Sequence, residues 1–163
     1  MSTTPPLPDD GSASPPSPLH RLIYGFSRAV DHRQPEAVAD CFIHDGLFRP
    51  GDNEFRGRDA IGAFYQQRLA DPRRVTRHLW SNIEVQHLSD TEAQLTAVLA
   101  TYAIEPSVSL EDVQLRMGDV ACLCRREDDG VWRFAEHIYT RAFAASLPLS
   151  TPPAPTATKD IKP

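Results

Sequence analysis

The sequence predicts an α+β domain in which three N-terminal helices pack on one face of a strongly bent antiparallel sheet. Two observations carry this reading. The apolar period changes from helical to two-residue near Val75, and most prolines lie outside the segment that shows either period. Of 15 prolines, six fall in residues 1–18 and five in 147–163, leaving Pro35, Pro50, Pro72 and Pro106 between them. Residues 19–145 then form one domain of ordinary size. The flanks, 1–18 and 146–163, are rich in Pro, Ser and Thr. They hold too few large apolar side chains to offset the entropy of ordering and are expected to be disordered.

Each element has its own signal. Leu19, Ile23, Phe26 and Val30 recur at helical spacing and predict a helix over Leu19–Arg33. Pro35 and Glu36 suit the start of a second short helix reaching Ile43, because proline needs no N–H there and a carboxylate favours the dipole. Leu47–Arg49 and Glu54–Arg56 read as short strands around Pro50-Gly51-Asp52-Asn53. A third helix spans Arg58 to about Ala70, with Ile61, Phe64, Tyr65 and Leu69 inward, and Pro72 ends it. Four strands follow by alternation: Val75–His87, Glu92–Ile104, Val113–Arg126 and Val131–Ala142. Helices first and antiparallel strands after is the α+β order.

Composition excludes several function classes. The net charge is −5 and no basic run occurs, which argues against nucleic acid as a partner. Both lysines, Lys159 and Lys162, lie in the C-terminal flank, so the domain has no Schiff-base or phosphate-loop lysine. Cys41, Cys122 and Cys124 form no CxxC, and no HExxH occurs, so no zinc site is expected. No apolar run is long enough to span a membrane, and no glycine-rich nucleotide loop is present. The chain therefore reads as reduced, soluble and cytoplasmic, with no cofactor and no membrane partner.

Candidate chemistry sits on three elements. In a regular first helix, Asp31 and Tyr24 are nearly two turns apart and share a face. Asp31 falls in the last turn, where the dipole disfavours an anion, so it needs a local cation or a use. Spacing alone leaves open a plain surface carboxylate paired with Arg28 or Arg33. On the first long strand, His78, Trp80, Asn82 and Glu84 alternate onto one face opposite Leu79, Ile83 and Val85. That mixed face suits a lined cavity, or a satisfied histidine in a structural sheet. On the last strand, Arg133, Ala135, His137, Tyr139 and Arg141 share a face by the same count.

The element order, with Gly57-Arg58-Asp59-Ala60-Ile61 opening the third helix, Thr76-Arg77-His78 with Asn82, and Asp129-Gly130-Val131-Trp132-Arg133-Phe134 opening the last strand, resembles the SnoaL-like family of the NTF2-like superfamily, in its scytalone dehydratase and dehydrochlorinase-like branch. The resemblance implies a cone-shaped fold and, at the positions of Asp31 and His78, a carboxylate that accepts from histidine Nδ1. Nε2 would then be the general base of a cofactor-independent lyase or isomerase, dehydratase-type, acting on a small, largely apolar carbonyl or hydroxylated substrate. Tyr24, Trp80, Asn82, His137 and Tyr139 are the candidate substrate-binding groups. The dehydrochlorinase-like pattern has an arginine near His137, so leaving-group help would fall to His137, Tyr139 or Arg141. The resemblance equally admits a non-catalytic pocket for small hydrophobic ligands, or a partner like the β-subunit of a ring-hydroxylating dioxygenase. A homodimer is expected in either case, because the outer face of such a sheet needs cover.

Overall fold

The computed structural model describes residues 16–149, and the flanks expected to be disordered otherwise lie outside them. The elements run α1 (Pro18–Asp31), α2 (Pro35–Ala39), β1 (Phe42–Pro50), β2 (Phe55–Arg56), α3 (Arg58–Arg68), β3 (Val75–His87), β4 (Glu92–Glu105), β5 (Ser109–Arg126) and β6 (Trp132–Pro148). They form helices packed on one six-stranded sheet of order β2-β1-β6-β5-β4-β3. Among the described residues, no helix is long and apolar enough to cross a membrane.

α1 forms because Ser17 caps it, its hydroxyl accepting from the His20 N–H at 3.3 Å, and because Pro18 needs no donor in the first turn. Its inner stripe of Leu19, Leu22, Ile23, Phe26 and Val30 is buried on the sheet. Phe26 is the hub of an aromatic cluster, with ring centroids 5.7–6.2 Å from Phe42, Phe48, Tyr65 and Phe134. Such pairs add about 0.5–1.5 kcal/mol each beyond the area they bury.

Four expectations are corrected. Phe42 and Ile43 belong to β1, not to the second helix, because both are buried against the core in extended backbone. β1 also pairs with β6 in parallel, so the sheet is mixed rather than wholly antiparallel. β6 runs on to Pro148, with Ser146 and Leu147 paired to Gln114 and Val113, so residues 146–148 are strand and not tail. Finally, bulges break the simple alternation. A register shift between Ser81 and Glu84, with Asn82 at φ +50°, turns Asn82 and Glu84 outward and brings Ile83 and Val85 onto the core beside Trp80. A second shift, where Leu123 and Cys124 face Glu136 and Phe134, puts both Phe134 and His137 inside and leaves Arg133 off the His137 face. Arg133 instead pairs with Glu127 and Asp129.

Two glycines give opposite predictions. A Cβ on Gly118 would lie 2.9 Å from the Arg141 Cα, against the Thr140 carbonyl, and neither backbone can yield. Gly118→Ala should destabilise the domain by about 1–3 kcal/mol in urea unfolding. Gly25 is exposed within α1 and has open space around it, so Gly25→Ala should stabilise by about 0.5–1 kcal/mol.

Candidate active site

Asp31 is the last residue of α1, and α1 packs directly over β3. Its Oδ1 lies 2.6 Å from His78 Nδ1, and its Oδ2 accepts the His78 backbone N–H at 3.1 Å. Both side chains are nearly buried, at 12% and 11% exposure. The anion at a helix C-terminus is thus met by two donors from one residue. Burial alone pushes the Asp31 carboxyl up. The side-chain hydrogen bond, charge and backbone N–H of His78, together with Thr76, outweigh it and hold the group below its ordinary value. Asp31 is therefore an acceptor at neutral pH. Because the carboxylate can only accept, His78 Nδ1 carries a proton, and Nε2 has no bonding partner among the described residues.

His78 lines a cavity of about 610 Å³ between the helices and the inner face of the sheet. Val30, Phe48, Phe64 and Leu99 supply apolar surface, and His137 and Tyr139 on β6 supply polar groups. Both His137 ring nitrogens and the Tyr139 hydroxyl are buried without a hydrogen-bond partner among the described residues. His137 is 1% exposed and ringed by Phe26, Phe48, Phe134 and Trp80 at 5.0–6.0 Å. Burial, with a smaller repulsion from His78, drops its pKa to about 4, so it is neutral at pH 7 and offers one N–H and one lone pair.

The other expected site residues lie elsewhere. Trp80 donates its indole N–H to the Ser27 hydroxyl at 2.5 Å, clamping β3 to α1 beside the Asp31–His78 pair. Trp80 and Tyr24 line a second recess of about 350 Å³, which Asp31 and His78 also line. Asn82, turned outward by the bulge, lines neither space. Among the described residues, no group of three or more His, Cys, Asp or Glu is arranged to hold a metal ion.

Sequence reasoning missed a cluster at the cavity wall. Arg68 of α3, Arg74 of the α3–β3 connection and Arg116 of β5 all bond Glu105 at the end of β4. The signal was available by parity. Leu95, Ala97, Leu99 and Ala103 alternate inward along β4, and Glu105 continues that row.

The absent partner of His137 makes a third prediction. A buried polar group left unbonded is destabilising, so His137→Leu should leave the domain as stable or more stable at pH 7 while impairing any activity. The unfolded chain takes up a proton at the ordinary histidine value of 6.5, whereas the folded chain does so only near 4. Stability due to this site therefore falls as pH drops from 6.5 to 4, and His137→Leu should flatten that slope in urea midpoints at pH 7 and pH 4.5.

The sequence matches the SnoaL-like domain over residues 18–137, most of the chain, and the protein belongs to that family. Solved structures with the same fold include a provisionally assigned scytalone dehydratase from Novosphingobium aromaticivorans DSM 12444, at 22% identity and TM-score 0.71, covering 82% of this chain and 87% of that one. A type 2 hexachlorocyclohexane dehydrochlorinase (LinA) superposes at TM-score 0.71 and 16% identity, covering 83% and 93%. ActVI-ORFA from Streptomyces coelicolor superposes at 0.65 and 19%, covering 77% and 95%. At these identities the likeness establishes the fold. No curated protein matches the sequence.

Proposed function

We propose that this SnoaL-like protein is a cofactor-independent lyase or isomerase of the dehydratase type, with His78 as general base and Asp31 as the group that orients it. The observation that carries the reading is the 2.6 Å contact from Asp31 to His78, a histidine that lines a cavity large enough for a small organic molecule. Nε2 takes a proton from a carbon next to a carbonyl. The electron pair passes to the carbonyl oxygen, where the His137 N–H and the Tyr139 hydroxyl are the free donors. Collapse of that enolate expels a β-hydroxyl, which leaves as water with the proton held by His78. In an isomerase the same proton returns to another carbon. The carboxylate of Asp31 stabilises the imidazolium formed on the way. Dehydratase and dehydrochlorinase names among structures of the same fold support this class of reaction.

Incubation in D₂O with small ketones and β-hydroxycarbonyl compounds tests the proposal. Solvent deuterium at the α-carbon, or conversion to the unsaturated product, is the expected result, and it should vanish in His78→Ala. The alternative of a non-catalytic ligand-binding protein, or a β-subunit-like partner of a ring-hydroxylating dioxygenase, predicts no exchange, and in the second case a stoichiometric iron–sulfur subunit on native purification.

The proposal extends to a homodimer in a reducing, cytoplasmic setting. Cys41, Cys122 and Cys124 are free, which suits that compartment. The outer sheet face carries Leu79, Ala100, Met117 and Phe143 in one cross-strand row, with Tyr102 and Leu115 in the next. Leu79 and Phe143 are more than half exposed, which supports a second copy as cover. Light scattering that finds a monomer at micromolar concentration would remove this part.

A further inference from the structure

The cavity carries charge that proton transfer does not use. Arg49, Arg68, Arg74, Arg116 and Arg141 line it, against Asp52 as its acidic side chain among the described residues. Arg49 is neutralised by Glu54. Arg68 Nη2 and Arg116 Nη1 both donate to Glu105 Oε1, at 3.0 and 3.1 Å, and Arg74 Nη1 donates to Oε2. No other carboxylate among the described residues bonds these three arginines. Arginine stays protonated, so three cations share one anion. Arg68, Arg74 and Arg116 all line the cavity, while Glu105 does not, so the cluster brings more positive than negative charge to its wall.

That surplus is costly where it stands. Arg74 is nearly buried, and its Nε has no partner among the described residues. A guanidinium presents a planar fork of donors, and only one nitrogen of each fork is spent on Glu105. An anion entering the cavity could take up donors that Glu105 leaves unused and would lower the cost of holding like charges together. Its distance from the proposed base is set by strand register. His78 faces Thr101, and Thr101 faces Arg116, so two interstrand steps, roughly 10 Å between backbones, separate them on the same inner face.

The geometry points to a small organic acid as the substrate class: a carboxylate held by Arg68, Arg74 and Arg116, with the reacting carbon a few bonds away at His78. This rests on the cavity being the substrate site proposed above and replaces the largely apolar substrate expected from the sequence. A planar two-oxygen group suits the forks better than a neutral carbonyl, and Leu99, Phe64 and Val30 leave room for a hydrocarbon body.

Calorimetric titration of the intact protein tests it with benzoate, phenylacetate and hexanoate, each beside its primary amide, and with inorganic phosphate. The carboxylates should bind saturably and their amides should bind roughly 10- to 100-fold more weakly. Arg116→Gln leaves Glu105 paired with Arg68 and Arg74 and should stay folded, which its urea midpoint checks; it should weaken carboxylate binding about tenfold or more. Arg125→Gln, whose partner Glu92 lies outside the cavity, is the control and should change nothing. Equal affinity for acids and amides, no binding of any carboxylate, phosphate binding without carboxylate binding, or an Arg116→Gln variant that binds as wild type does would each overturn the assignment. Carboxylate binding without turnover of any acid would sink only the proton-transfer reading, and turnover of neutral substrates without carboxylate binding would sink only this one.

Discussion

His78→Ala is expected to lower kcat on the protein's substrate by about 100- to 10,000-fold, the usual contribution of a positioned general base, or roughly 3–5 kcal/mol of barrier. Added imidazole should restore part of the rate if the cavity admits it. Asp31→Asn is the sharper test, because two donors from one residue converge on that carboxylate. An amide has one oxygen and one NH₂. If the oxygen keeps the backbone N–H, the NH₂ faces Nδ1 and forces the proton onto Nε2, the atom that should act as base. The variant should then be folded, close to wild type in urea, and as poor a catalyst as His78→Ala. Full turnover by either variant would remove the mechanism. So would a substrate bound with its acidic carbon nearer Tyr139 than His78.

The long strands were legible because each runs over ten or more residues with largely alternating burial. β1 was not, because its first residues, Phe42 and Ile43, form a short apolar run with no period of its own and a nonlocal partner, β6. The Asp31–His78 pair was readable from a helix-end carboxylate with no stated partner and from a histidine on a mixed strand face, joined by the resemblance. The count by twos failed beyond Trp80 and before His137. One inserted residue exchanges the two faces of a strand, and nothing in Ser81-Asn82-Ile83 announces it except an asparagine that tolerates positive φ. That single residue decides whether Asn82 lines the cavity, and it does not. The arginine cluster was harder still. Its four members come from α3, a connection, β4 and β5, so no spacing along the chain relates them.

Glu105→Gln is expected to be the most destabilising single substitution in the polar interior, by about 3–5 kcal/mol, because it keeps three cations and removes their anion. A small domain has only about 5–15 kcal/mol in total, so urea unfolding should shift far toward low denaturant and the protein should fold marginally at 37 °C. Replacing a cation as well should recover part of the loss: Glu105→Gln with Arg116→Gln should be more stable than Glu105→Gln alone, a coupling that the double-mutant cycle reads directly. The acid limb gives an independent check. Burial raises the Glu105 carboxyl, but Arg68, Arg74 and Arg116 together hold it below its ordinary 4.5. A depressed carboxylate contributes stability that is fully present above the unfolded value and is lost as pH falls through the folded one. Glu105→Gln should therefore remove steepness below pH 4.5 and leave the slope due to His137, between pH 6.5 and 4, in place. If the Gln variant unfolds at the wild-type midpoint, the three guanidiniums are solvated through the cavity well enough to need no anion, whether from Glu105 or from a ligand.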